Sequence, residues 1–155
     1  MIDEYHANGE SLHHYIAVLR ERNYKYSRFV LPHDARKREL GSAKSIAKQL
    51  YDLGLRKQTV LPREEILAGI QATRELMPVL WIDKQKCDYV VSAFENYTKE
   101  WDDARGVWKD KPLHDEWSNP MDAVRYYSMY RRKLFQRNVA DKKDRTTNVV
   151  DGLAM

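Results

Sequence analysis

With one cysteine, Cys87, in its 155 residues, the chain can form no internal disulfide. Lys86 and Asp88 flank that cysteine in a stretch of helical spacing, so it reads as a buried small hydrophobe and not a nucleophile. Glycine is also scarce, and no phosphate-cradling loop is present. Gly41-Ser42-Ala43-Lys44-Ser45 lacks the first glycine and the spacing of a P-loop, so an ATPase motor is not in this chain. No His-x-x-x-His or Cys-x-x-Cys pair occurs. His13 and His14 are neighbours on one predicted helix, where adjacent side chains point about 100° apart, so they cannot chelate one zinc ion together. Long apolar runs are missing too. Val79-Leu80-Trp81-Ile82 is far short of the roughly 20 residues of a membrane span. The opening Met1-Ile2-Asp3-Glu4 is acidic where a signal peptide is basic. The expectation is a cytoplasmic chain with no membrane partner.

What is present suits one folded domain. With 43% hydrophobic and 32% charged residues, the chain lies outside the disordered class, and its length fits a single core. The net charge of +4 favours a polyanionic partner. Much of that excess is local, in Arg131, Arg132, Lys133, Arg137, Lys142, Lys143 and Arg145. From about Asn138 the chain turns polar, which predicts a folded domain over 1–137 and a flexible basic tail over 138–155.

Periodicity supplies the elements. Ile2 to Tyr5 is a candidate strand, and Leu12, Tyr15, Ile16 and Leu19 behind Ser11 have the spacing of an amphipathic helix. Phe29-Val30-Leu31, stopped by Pro32, reads as a buried strand. A helix opened by Gly41-Ser42 and closed by Gly54 follows, then a strand at Thr59-Val60-Leu61. Further helices are predicted over Arg63 to Leu76 and Lys84 to Tyr97, a hairpin between Trp101 and Trp108 about Arg105-Gly106, and a helix from Ser118 with Pro120 near its start. Strands alternating with helices imply an α/β layer structure. Its core is predicted at Leu12, Ile16, Phe29, Leu31, Ile46, Leu50, Val60, Ile70, Val91, Phe94 and Val124.

Two places are suited to chemistry. In α/β sheets functional side chains gather at the C-terminal ends of strands, where this reading puts Asp34. Pro32-His33-Asp34-Ala35 is also good turn chemistry, and on pattern alone the turn role is the better supported. The second place is His114-Asp115-Glu116 with Asp122 one turn into the following helix. Carboxylates at a strand end and a helix start are what hard cations need in phosphodiester hydrolysis. Acids that merely complement a helix dipole explain this cluster equally well.

Four stretches in order carry a family resemblance: Tyr24 to Ala35, Gly69 to Trp81 with Asp83, Asn96 to Asp102, and Lys111 to Tyr126. Together they resemble the nuclease domain of the large terminase subunit of tailed phages. The resemblance implies an RNase H-like fold, a mixed sheet with flanking helices, incomplete for want of its first strands. It also implies two Mg²⁺ or Mn²⁺ ions and the cutting of concatemeric double-stranded DNA during genome packaging, in the host cytoplasm. Asp34 then corresponds to the middle metal-binding acid, Asp122 to the last and Asp115 to an auxiliary one, with His33 and His114 in support. Family members usually have Ser-His before the final Asp-Ala, whereas Ser118 here precedes Asn119 and Pro120. Their first metal-binding Asp lies on a strand upstream of the equivalent of Ile2 to Tyr5. The expected partners are an upstream polypeptide carrying the ATPase domain, the small terminase subunit and the portal. Two alternatives stand beside this one: a non-catalytic DNA-binding or packaging-assembly module that uses the basic C-terminal helix, and an inactive prophage remnant.

Overall fold

The computed structural model describes residues 1–151 except Leu40 and Ser42, with no side-chain detail from residue 141 onward. Five helices are present among the described residues: α1 (Leu12–Glu21), α2 (Ile46–Asp52), α3 (Ile66–Leu76), α4 (Asp88–Asn96) and α5 (Ser118–Asp151). The strands are β1 (Phe29–Leu31), β2 (Gln58–Val60), β3 (Lys99–Asp102) and β4 (Val107–Pro112). The class is mixed α/β. None of these helices is long and apolar enough to cross a membrane.

The expected mixed sheet is not formed by the described strands, which make two separate two-stranded sheets. β1 and β2 run parallel, pairing Phe29 with Gln58, Val30 with Thr59 and Leu31 with Val60, and α2 lies in the crossover between them. β3 and β4 form the predicted antiparallel hairpin, with Trp101 opposite Trp108. Ile2 to Tyr5 is not a strand. The two acids of that run are engaged elsewhere: Asp3 pairs with Arg22, and the Glu4 carboxylate accepts the Tyr89 amide at 2.8 Å and the Val90 amide at 2.9 Å.

Local chemistry sets the helix ends. The Ser11 hydroxyl caps α1 by accepting the His14 amide at 3.3 Å. α2 begins at Ile46, later than Gly41-Ser42 suggested, because Ser45 is the extended cap and accepts the Lys48 amide at 3.2 Å. Gly54, at φ +108°, closes it as expected. α3 begins at Ile66 instead of Arg63, behind Glu65 in extended conformation, which leaves Glu64 and Glu65 outside the helix. α4 begins at Asp88 and not at Lys84. Asp83 takes the amides of Gln85 and Lys86 into a turn first, and Glu4 then supplies the cap that α4 has no local side chain to make. Glu4→Ala is therefore expected to cost about 0.5 to 2 kcal/mol, the usual range for a lost helix cap, measured by urea denaturation. α5 continues to Asp151, through most of the predicted tail, since no Gly or Pro interrupts residues 121–151; residues 152–155 lie outside the described residues.

The core sits where α3 and α4 pack on α5. Leu61, Ala72 and Met129 are buried together, with Val30, Tyr126 and Tyr130 against them. Of the predicted core, Ile16, Leu50 and Val124 are buried and the other eight positions are half-buried. Burial beyond the predicted set falls on the branched Leu61, Leu76 and Val90 and on the small or unbranched Ala35, Ala72, Ala93, Met121 and Met129. Cys87 is fully buried, as predicted, and burial, then the nearby Glu4 charge, pushes its thiol pKa up.

Candidate functional site

Because β1 and β2 are parallel neighbours, the chain leaves both strands on the same edge of the sheet, and α5 opens beside it. Between them lies a cleft of about 630 Å³. One wall is Pro32, His33 and Asp34 after β1, the second Arg63 to Ile66 after β2, and the third Asn119 to Tyr127 on α5. Asp34 and Asp122, remote in sequence, both line it. Asp115 and His114 do not.

Asp34 sits in a single 3-10 turn, His33–Arg36, anchored beneath by the buried Ala35. The Arg36 guanidinium ties that turn to β2 by donating to the Val60 carbonyl at 3.0 Å. His33 Nδ1 lies 2.8 Å from the Tyr126 hydroxyl, fastening the strand end to α5. The Asp34 carboxylate is exposed and has no hydrogen-bond partner among the described residues.

Asp122 is held differently. Its Oδ1 accepts from Arg125 Nε at 3.1 Å and Nη2 at 2.7 Å, and the guanidinium is almost wholly buried while the carboxylate is half-exposed. The arginine stem passes close over Gly69 of α3, which has no side chain to obstruct it. Burial raises the pKa of the nearby Tyr97 phenol, the Asp122 and Asp115 charges add to the rise and Arg125 opposes it, so the phenol stays protonated at neutral pH. Asp115 opens α5: its Oδ1 accepts the Trp117 amide and its carbonyl the Ser118 amide, at 3.0 and 3.2 Å. That is the turn role an acid takes at a helix start.

Comparison with protein families, with curated proteins and with solved structures finds no match for this chain. Its chemistry therefore has to be read from the cleft.

Among the described residues no three His, Cys, Asp or Glu side chains converge into a metal-holding group. Asp34 and Asp122 bring two carboxylates to the lining, of the number a hydrated hard cation takes, since Mg²⁺ commonly keeps several waters and uses only one or two protein carboxylates. They do not by themselves fit the two-ion set. Two acids on the lining carried no site signal in the sequence, where Glu64 and Glu65 pass for dipole-complementing residues of a helix. Glu64 pairs with Lys133 at 2.5 Å, and Glu65 is exposed. The available clue was position, directly after a strand parallel to the one that ends at Asp34.

Proposed function

We propose that this chain carries part of a metal-dependent DNA nuclease of the RNase H-like, terminase large-subunit kind. Asp34 and Asp122 serve as carboxylates for Mg²⁺ or Mn²⁺. The observation that carries the reading is that these two acids, expected to act together, line one cleft at the C-terminal ends of parallel strands. A bound divalent cation would supply Lewis-acid polarisation of a phosphodiester oxygen. The chain's own residues have simpler duties. Arg125 orients Asp122, the His33–Tyr126 pair fixes the turn that presents Asp34, and Arg63 offers a cation to a phosphate at the mouth. The third carboxylate of the set would come from a further segment, and the proposed substrate is concatemeric double-stranded DNA, with the ATPase polypeptide, small subunit and portal as partners. A non-catalytic DNA-binding role for α5 has less support, because Arg132 and Lys133 are committed to Glu75 and Glu64 at 3.1 and 2.5 Å.

The test is Mn²⁺ titration of the purified chain by calorimetry. Even a lost outer partner of a metal ligand costs roughly 10- to 100-fold in affinity. Asp34→Asn and Asp122→Asn should each weaken binding by at least that much, and Asp115→Asn should not. Supplying a segment with a third carboxylate should then permit plasmid nicking that depends on both Asp34 and Asp122. Mn²⁺ affinity unchanged in both Asn variants would sink the proposal.

A further inference from the structure

A second cleft, of about 550 Å³, lies between the N-terminal segment, α1 and the stretch that enters β1. It takes no part in the nuclease reading. Four tyrosines line it, Tyr5, Tyr15, Tyr24 and Tyr26, with Lys25 and Arg28 among them.

Three of the four tyrosine hydroxyls are already hydrogen-bonded. Tyr15 donates to the Ala7 carbonyl at 2.8 Å and Tyr26 to that of Leu19 at 3.2 Å. Tyr5 meets His14 Nε2 at 2.5 Å, and the Tyr24 hydroxyl helps to hold down the pKa of the nearby Asp3 carboxyl. Tyr5 has the Arg22 guanidinium over its ring and Tyr26 packs on Phe29, so the ring surface left to offer is chiefly that of Tyr24 and Tyr5, 36% and 43% exposed, within a cluster of four tyrosine rings. They stand nearly at right angles in pairs, Tyr24 to Tyr26 at 86° and Tyr5 to Tyr15 at 72°, so faces are presented in more than one direction.

The charge accounting points the same way. Two acids line this cleft, Asp3 and Glu4. Asp3 is paired with Arg22, and Glu4 caps α4 through two amides. Burial works to raise the Asp3 carboxyl, but Arg22 and Tyr24 outweigh it and hold its pKa below the usual value. Arg28 binds only the neutral Thr59 hydroxyl, at 3.0 Å, and Lys25 makes no ion pair among the described residues. The uncompensated charge is positive.

We propose that this pocket binds an unpaired nucleotide of a single-stranded nucleic acid, its base against the tyrosine rings and its phosphate on Lys25 and Arg28. A ligand that answers both features is flat, aromatic and anionic. The volume falls within the few hundred to about 1,000 Å³ usual for small-molecule pockets. Bases inside a duplex are stacked on one another and present no face to the rings, so the partner is single-stranded. The pocket and the acidic cleft lie at opposite ends of β1, whose three residues span about 10 Å.

The proposal is tested by fluorescence anisotropy of the whole chain at low salt with labelled oligothymidylate, oligouridylate and a blunt duplex. Base–aromatic stacking is worth about 1 to 3 kcal/mol per base, so Tyr24→Leu should weaken single-strand binding roughly 5- to 150-fold. Tyr24→Phe should retain it. Lys25→Gln, an exposed change with no bearing on folding, should weaken binding and flatten its salt dependence. Tyr24→Leu should leave Mn²⁺ affinity unchanged, which separates this site from the metal reading. A difference between the two oligonucleotides identifies the natural strand as DNA or RNA. Absence of single-strand binding would overturn the proposal. So would duplex binding of equal strength lost with the same variants, or wild-type binding by both Tyr24→Leu and Lys25→Gln.

Discussion

Leu61→Ala is expected to lower the free energy of unfolding by about 2 to 5 kcal/mol, the range for deleting a buried leucine side chain. Leu61 is 2% exposed and touches two of the three helices that make the core, through Ala72 of α3 and Met129 of α5. It also follows β2, and its amide donates to the Leu31 carbonyl at 3.0 Å, so its side chain plugs the space between the parallel strands and the helices. Ala72 is too small to refill that space, which places the cost toward the upper part of the range. Urea denaturation measures it. Leu67→Ala is the control: Leu67 is 52% exposed, and its loss should cost under about 0.5 kcal/mol. Equal effects at the two positions would show that the core has been wrongly located.

Gly69→Ala is the second large effect, and two opposing influences decide its sign. Alanine in place of an interior helical glycine normally gains about 1 kcal/mol. Here a Cβ would stand 2.5 Å from Arg125 Cγ, 2.6 Å from Cδ and 3.1 Å from Met129 Sδ. The first two contacts involve the middle of a buried side chain whose tip is fixed on Asp122, so it cannot swing away without losing both hydrogen bonds. Overpacking of this kind costs typically 1 to 3 kcal/mol, and a displaced buried guanidinium adds to it. The net expectation is a loss of about 1 to 3 kcal/mol in chemical denaturation. Shortening Arg125 to alanine in the Gly69→Ala background should recover most of the overlap cost relative to Arg125→Ala alone. A stabilised Gly69→Ala protein would mean that α3 and α5 are further apart than described.

The fold was legible where local chemistry and periodicity agree. Ser11 before Leu12, Tyr15, Ile16 and Leu19, Gly54 behind α2, and Arg105-Gly106 between two tryptophans each mark an element that forms. Legibility failed where a distant partner overrides the local signal. Ile2 to Tyr5 has the composition of a strand, but Asp3 and Glu4 meet Arg22 and the start of α4, and no nearby residue announces that. The core was read through large apolar residues, whereas closely packed α3 and α5 bury Gly69, Ala72, Thr73 and Ser128. Thr73 Oγ1 lies 3.3 Å from Ser128 Oγ across that contact. Such a seam has no hydrophobic period. In the candidate site, Asp34 was visible from its strand end and Asp122 from its helix. The His33–Tyr126 tie depends on how α5 crosses the strand edge, which a single sequence does not encode locally, whereas the Arg125 clasp on Asp122 is an i,i+3 pair within α5 whose spacing was there to be read.

The Glu4 cap has a consequence for the order in which the chain becomes ordered. Glu4 and the amides it serves lie 85 and 86 positions apart. On a ribosome adding about 5 to 20 residues per second, Glu4 is synthesised roughly 4 to 17 s before those amides exist. Throughout that interval its carboxylate has no helix to cap, and the N-terminal segment cannot take its final place. The tyrosine-lined cleft, one wall of which is that segment, is therefore completed only after α4 has been synthesised, although all of its lining residues precede α4 by some 60 positions or more.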